Sequence, residues 1–313
     1  MVHGVLGIGF VESDQIHTRA EVLAGAGDHH HTHGGIRRRA GDGQHRVGRP
    51  AAGAAAAAAT EAAASTEATA TEAAEEGLEQ VGEAPHVTHV GHAGGTAKAR
   101  ELTLRALRLG KVVVSANKAL LCEHGPEIFR AVRQHGGQFL FEASVAGGIP
   151  IIKAIREGLV ANRFELIVGI LNGTCNYILT TMREQKREFA EVLAEAQKLG
   201  YAEADPSFDI DGIDAAHKLT ILASLAFGIP LQFDRVFVEG IRHVSALDIK
   251  FAGELGYTIK LLGTVKKLEN SGRVQVSVYP TLVPNSHVLA SVNGVFNAVF
   301  VRGDVVGDSL FYG

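Results

Sequence analysis

No lysine occurs before Lys98, and ten of the fifteen histidines fall within the first 92 residues. Composition changes at about residue 93, and this break limits what the chain can fold into. Residues 51–76 are mostly alanine with Thr and Glu interspersed. A helix made from them has no apolar stripe to dock. Residues 15–92 hold little Leu, Ile, Val or Phe, too little to build a core of their own. Two readings fit: a disordered or loosely helical surface segment, or a segment translated in the wrong frame, since missing lysine beside abundant Arg, Ala, Gly and His suits the second. Neither gives residues 15–92 a function.

Beyond Gly94 the punctuation becomes regular. Residues 97–109 are predicted to be a helix with Leu102, Ala106 and Leu109 on one face, stopped by Gly110. Val112–Ser115 reads as a short, all-apolar strand of the kind buried in parallel sheets. Phe139–Glu142 and Phe164–Ile170 read as further strands. Pro150 suits the first position of a helix running to Glu157 and stopped by Gly158. Phe189, Val192, Leu193, Ala196 and Leu199 keep helical spacing up to Gly200. Asp211 is placed to cap a helix whose apolar face runs through Leu219, Leu222 and Ala226. Residues 274–278 and 295–301 read as strands. Helices alternating with strands predict an α/β fold with a sheet at its centre.

The 30 basic and 34 acidic residues leave a net charge of −4, so neither a nucleic-acid surface nor a polybasic membrane anchor is expected. No run of eighteen apolar residues exists to span a bilayer. A basic stretch leading into an apolar core, as in a secretory signal, is also lacking. Cys122 and Cys175 are too few for a disulfide framework and wrongly spaced for zinc. A reducing, cytoplasmic setting is the expectation.

The opening, Val5-Leu6-Gly7-Ile8-Gly9-Phe10-Val11-Glu12, is an apolar strand entering Gly-x-Gly, the start of a dinucleotide-binding turn. The first glycine permits the tight turn and the second lets a pyrophosphate approach the backbone. Glu12 stands where a third glycine would let helix and strand pack closely, and Asp14 adds further negative charge. The acidic residue expected about 20 positions on, for a ribose, cannot be identified.

Chemistry concentrates between Ala196 and Lys218. Glu203, Asp205, Asp209, Asp211 and Asp214 crowd into twelve positions, followed by Lys218. Asp214 and Lys218 are i and i+4, so on a helix they share a face. A lysine beside carboxylates in a partly dry cleft can exchange a proton with a substrate hydroxyl. Glu203 and Asp209, from the preceding loop, could hold an ammonium group. The same residues also read as an acid-rich helix start with an ordinary surface ion pair.

Lys118 follows a buried-looking strand, and the carboxyl ends of strands in open α/β sheets line ligand crevices. It also reads as a surface lysine opening the next helix. Glu142 to Pro150 is a strand end, a glycine turn and a helix start, whose carbonyls with Glu142 could enclose a hard cation, or where Glu142 simply caps. Asn172-Gly173-Thr174-Cys175-Asn176-Tyr177 could contact substrate or cap a helix. Cys175 has no basic partner nearby in sequence and reads as a buried thiol. His29, His30, His31 and His33 lack structured flanks, and such tracts bind metals promiscuously at best.

From about Gly94 to Gly313 the chain resembles homoserine dehydrogenases. Ala196, Gly200, Asp205-Pro206, Asp209, Gly212, Asp214 and Lys218 fall at the spacing of the family signature. GGTAKARELTLRAL, VVVSANKALL, FEASVAGGIPII and GILNGTCNYIL resemble family blocks in the same order, with a faint trace at 5–11. The resemblance implies a Rossmann-like NAD(P)-binding domain, here partly degraded, over 1–135. An α/β catalytic and dimerisation domain follows over 136–313. It implies interconversion of L-homoserine and L-aspartate 4-semialdehyde by hydride transfer with NAD or NADP, a step toward threonine, methionine and isoleucine, in a homodimer. Carried over, Lys218 is the proton donor and acceptor at the substrate oxygen, and Asp214 orients substrate and lysine. Glu203 binds the substrate amino group with Asp209 nearby, and Lys118 bridges substrate and cofactor. Ser115 touches the nicotinamide end, while Gly7, Gly9 and Val11 serve the cofactor's pyrophosphate side. Glu142, with the carbonyls of Val145, Gly147 and Ile149, holds a sodium ion.

Three departures from the family pattern stand out. Glu12 and Asp14 replace glycines. The rest of the nucleotide domain up to residue 93 is unrecognisable. The chain stops at Phe311-Tyr312-Gly313, where the family continues with a glycine-rich turn and a returning helix, and no regulatory domain follows. Hydride transfer needs the nicotinamide within about 3–3.5 Å of the reacting carbon, which a broken cofactor domain cannot supply. The competing expectation is therefore a catalytically silent fragment or misread gene product that only pairs through its catalytic domain. The loop that separates NAD from NADP preference falls in the abnormal segment.

Overall fold

The computed structural model describes residues 9–10, 87–89, 95–268 and 272–313. The alanine tract, the histidine cluster, Gly7, Val11, Glu12 and Asp14 lie outside the described residues.

The described residues form two sheets. The smaller joins β2 (Val87–His89), β3 (Val112–Val114) and β4 (Gln138–Leu140) in that order, with both pairs parallel. Parallel neighbours need a crossover, and helices supply it: α1 (Thr96–Arg108) between β2 and β3, and α2 (Lys118–His135) between β3 and β4. Leu102, Ala106 and Leu107 of α1 and Leu120, Leu121 and Ile128 of α2 are buried with Val113 of β3. Leu109, predicted to share the α1 face, lies past the last turn and is 52% exposed. The strand predicted over Phe139–Glu142 ends at Leu140, and Glu142–Ser144 form a 3₁₀ turn.

The larger sheet has seven strands. β5 (Phe164–Ile170) is antiparallel both to β7 (Tyr257–Lys267) and to β9 (Ala298–Gly303). β8 (Val274–Pro284) pairs antiparallel with β7, and β10 (Gly307–Tyr312) with β9. The links at 268–273 and 304–306 are too short for crossover helices, so these neighbours must run antiparallel. Two short strands join the far side of β8 in parallel. They are β6 (Phe237–Val238) and β1 (Gly9–Phe10), the latter in register with Thr281 and Leu282. Gly9 therefore belongs to the larger sheet, away from the three parallel strands.

Successive side chains along a strand point to opposite faces, and the two faces of this sheet form separate cores. Ile167, Leu261, Val299 and Val301 belong to the main core, whereas Val168, Leu262, Ala298 and Phe300 pack with Leu289 and Val292 behind the sheet. In front, α3 (Ile151–Lys153) begins after Pro150 and passes into a π-helical turn over Ala154–Gly158 in place of one regular helix. α4 (Gly173–Gln185) packs on β7, and α5 (Phe189–Lys198) packs on α4. A short α6 (Ser207–Ile210) leads into α7 (Ile213–Phe227), and α8 (Ala246–Glu254) lies against α4 and β7. Asp211 does not cap α7. Its carboxylate accepts from Nε and Nη2 of Arg242, both at 2.9 Å, and Gly212 with φ 83° takes the N-cap position.

Helix α7 is the middle layer. It packs on β5, β7 and β8 from one side and against α2 from the other. A helix covered on both sides is apolar nearly all round, and Ala215, Ala216, Leu219, Ile221 and Leu222 are all buried. The packing of α2 on α7 brings the end of the small parallel sheet to the large sheet.

Candidate active site

The first turns of α2, α4 and α7 converge. On α7, Lys218 Nζ donates to Asp214 Oδ2 at 2.7 Å, as the i, i+4 spacing predicts, and to the carbonyl of Leu171 at 2.9 Å. From α2, Lys118 Nζ lies 3.1 Å from Asp214 Oδ1 and 5.5 Å from the centre of the Phe208 ring. One carboxylate thus faces two ammonium groups, one on each oxygen. Asp214 is 4% exposed. Burial pushes its carboxyl up, but Lys218 and Lys118, with hydrogen bonds from Lys218 and Asn172, outweigh burial and hold it below the ordinary aspartate value.

Asn172, the N-cap of α4, is spent completely. Its Oδ1 accepts from the amide of Cys175 at 2.8 Å, while its Nδ2 donates to Asp209 Oδ1 at 2.7 Å and to Asp214 Oδ2 at 2.9 Å. The capping reading of this motif holds, and the same side chain ties Asp209 to Asp214. Asp209 is pushed above the ordinary value by burial and by the negative charges of Asp214 and Glu203, against the Asn172 bond and the Lys218 charge. Glu203 is exposed, and its carbonyl accepts from Gln197 Nε2 at 3.0 Å. Glu203 thus stands within electrostatic reach of Asp209, which also feels Lys218.

Ser115 ends β3 and is 1% exposed. Its amide donates to the carbonyl of Leu140 and its Oγ accepts from the amide of Asn117 at 3.2 Å. Asn117 in turn caps α2 by accepting from Leu120 at 2.9 Å. These contacts shape the turn that presents Lys118. Cys175 is fully buried, its Sγ donating to the carbonyl of Asp209 at 3.2 Å, and burial raises its thiol well above the ordinary value. It is the inert thiol read from the sequence.

Of the oxygens that the resemblance gives to sodium, Glu142 uses Oε1 on the amide of Ile152 at 2.8 Å and Oε2 on that of Lys153 at 2.9 Å. The carbonyl of Ile149 accepts from Ile151 at 2.8 Å. The acid is satisfying the open amides at the start of α3, the capping reading. No step is derived through sodium. For a dinucleotide, Lys118 stands at the carboxyl end of parallel strands, where the nicotinamide end would lie. Gly9, expected on the pyrophosphate side, pairs with β8 of the larger sheet.

Sequence reasoning missed the Asn172 bridge to both aspartates and the contact of Lys118 with Asp214. The strand-end positions of Asn172 and Lys118 were the available signals.

A family model described as homoserine dehydrogenase matches residues 150–313, and one described as its NAD binding domain matches 41–142, reaching into the compositionally odd segment. The homoserine dehydrogenase of Pseudomonas aeruginosa is 58% identical over 220 residues, covering 70% of this chain and 50% of that protein. A crystal structure of a homoserine dehydrogenase from Thiobacillus denitrificans is 55% identical with a TM-score of 0.69, covering 72% of this chain and 52% of the other. A hyperthermophilic archaeal homoserine dehydrogenase in complex with NADPH is 31% identical with a TM-score of 0.60, covering 69% and 62%. The chain spans about half the length of the curated relatives it matches. With the matched model covering more than half of its residues, the chain belongs to the homoserine dehydrogenase family.

Proposed function

We propose that this chain interconverts L-homoserine and L-aspartate 4-semialdehyde with NAD or NADP, and that Lys218 moves the proton. The observation that carries this reading is the buried Asp214 carboxylate shared by Lys218 at 2.7 Å and Lys118 at 3.1 Å. In the oxidising direction Lys218, as the free amine, takes the proton of the substrate hydroxyl. In the reducing direction its ammonium returns a proton to the aldehyde oxygen. Asp214 keeps Lys218 in place and balances the charge that the lysine gains. Lys118 sits on the small-sheet side of the same carboxylate and bridges substrate and cofactor. Glu203 and Asp209 supply negative charge for the substrate ammonium. A bound nicotinamide cofactor would supply or accept the hydride at the alcohol carbon. Gly7, Gly9 and Val11 serve the pyrophosphate side and Ser115 the nicotinamide side, within a nucleotide-binding part over 1–135 that precedes a catalytic part over 136–313. A homodimer is part of the same reading, checked by light scattering.

The test is homoserine-dependent reduction of NAD and NADP at alkaline pH, with Lys218→Ala alongside. Turnover should fall by about 10²–10⁴-fold in the variant, with an unchanged circular dichroism spectrum. Undiminished turnover overturns the mechanism. The pairing of Gly9–Phe10 with β8 favours a second reading, a chain that keeps the substrate side and lacks cofactor binding. Tight, saturable NADPH binding contradicts that second reading.

A further inference from the structure

Lys260 lies in the middle of β7, is 1% exposed, and takes no part in the proposed chemistry. No carboxylate bonds it. Its Nζ donates to Asn176 Oδ1 at 2.9 Å, to Asn293 Oδ1 at 3.2 Å and, in a short contact, to the carbonyl of Val292. Three acceptors match the three N–H groups of an ammonium, and the Asn176 oxygen has Lys260 as its donor. Arg183 on α4 approaches the same Asn293 oxygen at 3.0 Å.

The contacts lead to the active site. Asn176, 2% exposed, gives both hydrogens of its amide to the 292–296 loop, to the carbonyls of Val292 and Phe296 at 3.1 Å each. The loop is drawn so close that a Cβ on Gly173 would stand 2.5 Å from the carbonyl oxygen of Val295. Gly173 is the first residue of α4 and follows Asn172 directly. We propose that Lys260 is a positioning residue: through Asn176 it seats the first turn of α4 against the 292–296 loop, so that the Asn172 amide reaches Asp209 and Asp214 together. A charged group bonded only to neutral oxygens is expensive to bury. An uncharged side chain would serve a plain core position at lower cost, so the ammonium is explained by the three-way tie it makes. The proposal concerns the geometry of the two carboxylates. It rests on the dehydrogenase reading only for what they do to substrate.

The test reads those carboxylates without substrate or cofactor. Side-chain ¹³C titration of Asp209 and Asp214 is followed in the wild type, Asn172→Ala, Lys260→Met, Lys260→Arg, and Lys260→Met with Asn172→Ala. Losing the Asn172 bond should raise both midpoints by roughly one pH unit. Lys260→Met should reproduce that rise, Lys260→Arg should restore most of it, and the double variant should go no further than Asn172→Ala. Lys260→Met strands the buried Asn176 oxygen, since Val292 keeps the Asn176 amide and Asn293 keeps Arg183. If it does not fold, Lys260→Gln, which keeps two donors, is read the same way. A folded Lys260 variant with lower melting temperature and unmoved Asp209 and Asp214 midpoints overturns the proposal, leaving Lys260 a structural residue. Homoserine calorimetry on the same samples separates the two readings. A wild type that binds no homoserine, with carboxylates that respond to Lys260, sinks the dehydrogenase assignment and supports the positioning role.

Discussion

Asp214 stays ionised because its partners outweigh its burial, and those partners come from three different elements. Only one was legible in the sequence. Lys218 is four residues away, so helical spacing alone puts it on the same face. Lys118 and Asn172 are distant in sequence and arrive by packing, which a local pattern cannot encode. Their residue types were suggestive, but their shared target was not. The pair differs from an exposed i, i+4 bridge because the Asp214 side chain is only 5% exposed while the lysines keep 18% and 21%. Asp214→Asn therefore removes the counter-charge of two half-covered ammonium groups. Breaking a buried pair from one side costs about 3–5 kcal/mol, and the partial exposure of the lysines puts this case at the low end. Urea unfolding at neutral pH should show a loss of about 3 kcal/mol for Asp214→Asn. A loss under 1 kcal/mol would mean that the bridge is an ordinary surface pair. The cost should shrink in acid, because a carboxyl depressed in the fold stabilises above its unfolded value and stops doing so as pH falls through the folded one.

Element boundaries were easier to read than element roles. Helices α1 and α5 end within a residue or two of their Gly signals, Gly110 and Gly200, since glycine acts on the backbone locally. Glu142 and Asp211 were harder, because acids near a helix start can cap, pair or coordinate, and the choice depends on what lies opposite. Glu142 meets the amides of α3, and Asp211 meets Arg242. The joint between α6 and α7 illustrates the point at backbone level. The residue opposite is Gly240, just beyond β6, where a Cβ would come within 2.0 Å of the carbonyl oxygen of Ile210 and 2.4 Å of the Asp211 Cα. Both are backbone atoms, so no side chain can swing aside. The joint carries Asp209 on one side and Asp214 on the other. Gly240→Ala should therefore lower the melting temperature by several degrees, as a loss of about 1–3 kcal/mol does in a protein of this size, and should weaken homoserine binding as well. Gly253→Ala, on exposed α8 with open space around the added carbon, is the control and should change neither. Equal effects at the two glycines would show that the α6 to α7 joint is not held by this approach.

At the scale of the whole molecule, the resemblance implied two successive α/β parts, and local signals did not say how the strands of the second part join. Alternating helices and strands carry no strand direction, and links too short for crossovers make β7–β8 and β9–β10 antiparallel in the sheet that α7 fastens to the parallel one. Lys260 sits within that larger sheet and sets a property of the entire fold. Burial lowers its ammonium to about 7, with Arg183 acting in the same direction and Glu184 against. A lysine in the unfolded chain titrates near 10.4. Between about 7 and 10.4 the unfolded state therefore holds more protons than the native state, and stability contributed at this site rises with pH. The two thiols act oppositely. Burial raises Cys122 to about 12 and Cys175 well above its ordinary value, so the unfolded thiols ionise first and stability falls above about pH 8.5. The opposing trends can flatten the raw stability curve of the wild type, so the informative quantity is the difference between wild type and Lys260→Met. Both proteins carry the same cysteines, and their contribution cancels. That difference should climb by up to about 1.4 kcal/mol per pH unit between pH 7.5 and 9.5 in denaturant unfolding. A flat difference across that window would mean that Lys260 titrates as an ordinary lysine.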